Sequence, residues 1–192
     1  MLNNLKIGTR LSLGFGGLLL LMVVVGGYGI FEIRLLEHEA KVLVEERMVT
    51  VAQTNALIDN INVVARAIRN TLLDSDSGHQ ATELQRIVAA RKNASELLGK
   101  LEKSVKDDKG AVLVKRIVSE VRPIFSRHLD ALVEFVKNEQ TLRAKMLLLG
   151  EYREIQRTYL TITEELIASQ TALAMQSGKK AADMAAAGVR LI

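Results

Sequence analysis

Apolar residues along this chain fall into two patterns. The stretch from Leu11 to Phe31, LSLGFGGLLLLMVVVGGYGIF, carries no charge and is apolar on every side. A helix of that length crosses a hydrocarbon core of ~30 Å at a rise of ~1.5 Å per residue, whereas a buried soluble helix rarely lacks a polar face. The run predicts a membrane-spanning helix. Beyond it the apolar positions recur at helical spacing with polar residues between them, the pattern of amphipathic helices. Leu57, Ile61, Val64, Ile68 and Leu72 form the buried stripe of a first bundle helix, continuous with the membrane helix and ending near Asp74. Ser75-Asp76-Ser77-Gly78 collects turn formers and helix-capping residues, and marks the first turn.

A second helix is predicted from Gln80 to about Lys106, with Leu84, Ile87, Arg91, Ala94, Leu98, Leu101 and Val105 on one face, closed by Asp107-Asp108-Lys109-Gly110. A third shows Val114, Ile117, Val121, Ile124, His128, Leu132 and Phe135 at the same period, with Pro123 kinking it locally. Two sites compete for the third turn, Lys137-Asn138-Glu139-Gln140 and Gly150, and matched helix lengths favour the first. Helix 4 then runs from about Thr141 to the chain end, turning Leu142, Leu149, Leu166 and Leu173 inward and tolerating Gly150 at a cost of roughly 1 kcal/mol.

The pattern thus predicts an all-α fold, an up-down antiparallel four-helix bundle preceded by one transmembrane helix continuous with helix 1. Residues 1–10 form a cytoplasmic N-terminus, 11–31 the membrane helix, 32–190 a helical bundle outside the cytoplasm, and 191–192 the first residues of a second span. Orientation follows from charge. Lys6 and Arg10 precede the apolar run, while Glu32, Glu37 and Glu39 outnumber Arg34 just after it, so the positive-inside rule leaves the N-terminus in the cytoplasm. A cleaved signal peptide is the competing reading, but its apolar region is usually ~7 to 15 residues and ends at a small-residue cleavage site of a kind not found here.

Composition narrows the function classes. The net charge of +4 comes from basic residues mixed with acidic ones, and aromatics are 4% of the chain, so neither a phosphate-binding stripe nor base-stacking platforms can be assembled and no nucleic-acid partner is expected. With no cysteine, disulfides and thiolate metal sites are excluded. His38, His79 and His128 have no second ligand at metal-binding spacing, and no nucleophile, base and orienting acid come together on these helices. The reading is of a non-enzyme with no catalytic residues, no metal and no cofactor. Gly14-Phe15-Gly16-Gly17 lies inside the membrane run and is helix-packing material, and the sequon Asn93-Ala94-Ser95 falls in mid-helix.

Polarity at inward positions is the informative feature. Arg91, His128, Tyr152, Gln156, Tyr159 and Thr163 sit where the stripes call for apolar side chains. A core arginine without a counter-ion costs several kcal/mol, and no Asp or Glu is predicted inward beside Arg91. Either the polar groups satisfy one another and fix helix register, or a bound carboxylate supplies the missing charge. Helix 1 also carries a second face, Ile58, Asn62, Arg66, Arg69 and Leu73, suited to contact with another subunit or to solvent. The candidate ligand-binding residues are Arg66, Arg69, Arg91, Arg122, Tyr152 and Gln156. They divide into a pocket inside the core at Arg91 and Tyr152 and a pocket between subunits at Arg66 and Arg69. The ligand they fit is a small organic anion, a di- or tricarboxylate before an amino acid or aromatic acid.

Three segments carry a family resemblance: Leu5-Lys6-Ile7-Gly8-Thr9-Arg10-Leu11, Ala65-Arg66-Ala67-Ile68-Arg69-Asn70-Thr71-Leu72-Leu73, and Leu148-Leu149-Gly150-Glu151-Tyr152-Arg153. With the helix layout, they make the chain resemble the N-terminal sensor region of bacterial methyl-accepting chemotaxis receptors of the four-helix-bundle type. That resemblance implies a periplasmic bundle between two spans of the inner membrane, homodimers joined along helix 1, and a cytoplasmic signalling part absent from this sequence. In aspartate-type members helix 1 arginines from both subunits grip the ligand carboxylates, and Arg66 and Arg69 are the counterparts by position. The input domain of a membrane histidine kinase or cyclase, and a membrane-anchored structural bundle, are the alternative readings.

Overall fold

A computed structural model describes residues 7–74 and 76–190, and every described segment outside the short turns is helical. Ser75 of the first turn, Leu5 and Lys6 before the apolar run, and the expected start of a second span at 191–192 lie outside the described residues. The first arm consists of α1 (Ile7–Lys41), a π-helical segment (Val42–Met48) and α2 (Val49–Leu73). The second is α3 (Ser77–Ser104). The third joins α4 (Asp108–Arg116) through a second π segment (Ile117–Val121) to α5 (Arg122–Lys137), and the fourth is α6 (Thr141–Leu149) followed by α7 (Glu151–Arg190). Four helical arms joined by short turns make the all-α four-helix bundle that the periodicity predicts.

The chain divides into two compact units. One takes the chain up to Leu43 and from Met175 onward, and the other is Val44–Ala174. In the first, Lys180 Nζ lies 3.2 Å from Glu39 Oε1. The helix that begins at Ile7 holds an 18-residue window of mean hydropathy 2.1 with none of it buried, the one helix among the described residues long and apolar enough to cross a membrane. Among the described residues, those of the core belong to the second unit. There Leu57, Ile61, Val64 and Ile68 of α2 meet Ile87, Leu98 and Leu101 of α3, Ile117, Val121, Phe125, Leu129 and Leu132 of the third arm, and Tyr152, Tyr159 and Leu166 of α7.

Turn chemistry explains where the arms end. Asp76 caps α3 by accepting from the His79 backbone N–H at 2.8 Å, and Asp107 caps α4 by accepting from Gly110 N–H at 2.8 Å. Helix 2 is closed before Asp107, and Gly110 belongs to the next helix, two small departures from the expected turn. The third turn falls at Asn138 and Glu139, as arm length predicts, with Glu139 in the left-handed region at φ 57°.

Three expectations about helix faces need correction. The third arm does not keep one stripe from Val114 to Phe135. Arg122 N–H donates to Ile117 O, an i→i−5 bond, and Pro123 sits in the first turn of α5. Proline has no N–H to give the carbonyl four residues back and clashes with it, and a widened π turn just upstream accommodates it. The extra residue moves the inward face on by one position, so Phe125 and Leu129 are buried while Ile124 is exposed. The fourth arm is broken, not continuous, because α6 stops at Leu149. Gly150 N–H donates to Met146 O, and a Cβ at Gly150 would come within 3.1 Å of that same carbonyl. Leu142 and Leu149 consequently face solvent, and Ala144 is the buried residue of α6, while Leu166 is fully buried as expected. Finally, the first arm carries a π segment where an unbroken α-helix was expected.

Candidate functional site

Arg91 is brought to the middle of α3 by the Ile87-to-Leu98 stripe, and Arg122 opens α5 immediately after the π turn. Both line a cavity of about 110 Å³ inside the second unit, together with Asn60, Ile61 and Val64 of α2, Ala94 and Ser95 of α3, Phe125 and Ser126 of α5, and Tyr159 of α7. All four arms contribute. A hydrogen-bonded relay crosses the cavity wall: Arg122 donates to Ser95 Oγ at 2.6 Å, and Ser95 donates to the Arg91 carbonyl at 2.8 Å. Among the described residues Arg122 meets no carboxylate.

Arg91 is different. Its guanidinium is paired with Asp130, through one contact between Nη1 and Oδ1 and a second of 3.4 Å between Nη2 and Oδ2. The expectation that Arg91 has no carboxylate beside it is therefore wrong. Asp130 lies one residue beyond the buried Leu129, on the flank of α5, a position that the unshifted stripe puts elsewhere. His128 is likewise satisfied, with Nε2 2.9 Å from Glu151 Oε2 and Nδ1 2.9 Å from the Ile124 carbonyl oxygen.

Aromatic rings form the inner wall. Phe125 packs edge-on against Tyr159 with centroids 5.4 Å apart, and tilted against Tyr152 at 5.2 Å. Burial pushes the Tyr159 phenol up to about 12, with the nearby Arg122 charge acting in the opposite direction. Burial also raises Tyr152, against an opposing pull from Arg69. The Tyr152 hydroxyl is buried and has no hydrogen-bond partner among the described residues.

A second, more open cleft of about 410 Å³ is lined by Arg69, Leu148, Leu149, Arg153, Gln156, Arg157 and Leu160. Arg69 donates Nε to the Ala65 carbonyl at 2.8 Å, and Arg157 lies 3.2 Å from Glu154 Oε1. Arg69 and Arg153 meet no carboxylate among the described residues.

The six sequence candidates are thus regrouped. Arg91 joins Arg122 and Tyr159, with Tyr152 behind Phe125 and not among the cavity-lining residues. Arg69 joins Gln156, while Arg66 is exposed and borders neither space. Ser95, Ser126, Asn60 and Arg157 were not among the candidates. Two of them had a signal: Ser95 follows Arg91, and Ser126 follows Arg122, by four residues, the spacing of neighbours on one helix face.

Comparison with protein families finds the four helix bundle sensory module for signal transduction, whose model matches residues 4–185. Comparisons with curated proteins and with solved structures gave no match.

Proposed function

Since the chain belongs to the four-helix-bundle sensory modules of chemotaxis receptors, a class of signalling input and not of enzyme, we propose that it senses a small organic anion, a carboxylate, on the periplasmic side of the bacterial inner membrane. The observation that carries this reading is Arg122, a half-buried guanidinium that opens on a cavity and is bonded to a serine hydroxyl and, among the described residues, to no carboxylate. A bound carboxylate would complete it. Charge-assisted hydrogen bonds contribute roughly 1.5 to 3 kcal/mol each, so three such contacts approach the ~8 kcal/mol of a micromolar complex. Neutral sugars would leave the guanidinium unpaired.

Signalling then needs only that the anion bind one arrangement of the arms better than another, with a shift no larger than that differential affinity. Tyr159 ties the cavity to α7, the arm that would carry the difference onward. The unit from α1 supplies the membrane anchor, and the charge asymmetry around the apolar run supports a cytoplasmic N-terminus. Self-association along the first arm is favoured by its exposed residues Arg66, Arg69 and Leu73. The cleft of Arg69, Arg153 and Gln156 supports a second reading, in which the anion sits at the outer face of α2 where a second subunit would close it.

Thermal-shift measurement of the full chain in lipid nanodiscs against a panel of organic acids tests the proposal, with Arg122→Ala and Arg69→Ala made in separate proteins. Stabilisation by anions that is lost in Arg122→Ala supports the inner cavity, and loss in Arg69→Ala alone moves the site to the outer cleft. Shifts from neutral compounds but none from acids would overturn the anion reading.

A further inference from the structure

The ligand class follows from a count of the charges that face the cavity, an argument that rests on the anion-sensing reading above. Two guanidinium groups line the space, but only one is uncommitted. Arg91 is paired with the exposed carboxylate of Asp130, which does not itself line the cavity. The inner walls are apolar, built of Ile61, Val64, Ala94 and Phe125 with the Tyr159 ring. The remaining polar groups, Ser95, Ser126 and Asn60, are neutral.

We propose that the cavity selects compact monocarboxylates with an apolar body, held by one carboxylate on Arg122, and that Asp130 is the specificity-determining residue that excludes di- and tricarboxylates. A second ligand carboxylate placed toward Arg91 meets Asp130, and one of the two anions is left without a complement. An apolar body in the same place covers the walls without disturbing the Arg91–Asp130 pair. Arg122 supplies a planar fork that matches a single carboxylate, while Ser95, already within 2.6 Å of that fork, fixes its plane. The preference is for a ligand whose charge is at one end only, the reverse of the di- or tricarboxylate ranking that an arginine count alone suggests.

Titration calorimetry on the full chain in nanodiscs, with benzoate, succinate and citrate as probes, tests this. The wild-type protein is expected to bind benzoate at least about tenfold more tightly than succinate or citrate, since like-charge juxtaposition in a site is strongly disfavoured. Arg122→Ala should abolish benzoate binding, and Arg122→Lys, which keeps the charge without the fork, should weaken it. Asp130 is exposed, so Asp130→Asn should fold normally; it should raise succinate affinity more than benzoate affinity, until the two differ by less than about threefold. Tighter binding of succinate or citrate by the wild type, or an Asp130→Asn protein with an unaltered preference, overturns the selectivity while leaving anion sensing intact. Absence of binding by all three acids overturns both.

Discussion

Gln170 donates its amide to Asp107 Oδ2 at 2.6 Å, joining α7 to the cap of α4 across 63 residues of chain from a side chain wholly removed from solvent. Arg47 completes the group by donating to Gln170 Oε1 at 3.2 Å and approaching Asp107 Oδ2 at 3.6 Å. Asp107 uses its other oxygen to accept from Gly110 N–H. Three arms of the second unit thereby share one polar layer. Such a layer tolerates few axial offsets between helices, because every shift breaks a buried hydrogen bond. Replacing Gln170 with Ala should cost about 1 to 3 kcal/mol, the range for leaving buried partners unsatisfied. Denaturant unfolding of the variant measures it, and a loss under about 0.5 kcal/mol, the scale of ordinary surface substitutions, would show the layer to be incidental.

Gly110 and Gly99 should respond to alanine with opposite signs. A Cβ at Gly110 would lie 2.5 Å from Val105 Cγ1, 2.6 Å from Gln170 Nε2 and 2.7 Å from Asp107 Oδ2, whereas one at Gly99 meets nothing within 4 Å. Gly110→Ala should destabilise by about 1 to 3 kcal/mol through overpacking. Gly99→Ala, in the interior of α3, should stabilise by roughly 0.5 to 1 kcal/mol through backbone entropy. The two melting temperatures provide the comparison.

The displaced stripe of the third arm makes its own test. Ile124 is 41% exposed and Phe125 only 5%. Ile124→Gln should fall within about 0.5 kcal/mol of the wild type, and Phe125→Ala should cost about 3 to 5 kcal/mol. Equal losses would mean that the π turn does not shift the register in solution.

Tyr152→Phe removes a buried hydroxyl that has no partner among the described residues. Losing an unsatisfied polar atom should leave stability unchanged or raise it by up to about 1 kcal/mol. Anion affinity should also be unaffected, because Tyr152 does not line the cavity and packs on Phe125, which does. A drop in affinity on making this variant would bring Tyr152 back among the binding residues.

Alkali should unfold the bundle partly through Tyr159. Its phenol ionises at about 12 in the fold, against 10.0 without burial. The folded state therefore holds the proton more firmly, so this contribution to stability is complete below pH 10 and is lost as pH rises through about 12. Ultraviolet titration of wild type and Tyr159→Phe should show the missing step at the high end of that window.

Much of this architecture was legible in the sequence because it is set locally. Backbone hydrogen bonding, helix period and turn formers act over a few residues, so the ends of α2, α3 and α5, the cap at Asp76, and the uncharged run from Leu11 to Phe31 could be read directly. The inward polarity of Tyr159 and Thr163 was visible for the same reason. What pairs with what was decided by tertiary structure. Asp130 reaches Arg91 only because a π turn at Ile117–Val121 rotates α5 by one residue, and Arg122 shares a cavity with Arg91 and Tyr159 only at one axial offset of three arms. The break at Gly150 depends on a backbone approach to Met146 that a turn propensity cannot rank against Asn138 and Glu139. Helical periodicity specifies which side of an arm is apolar. The rotation and sliding of one arm against another are set by side-chain interlocking across the core, where partners lie tens of residues apart.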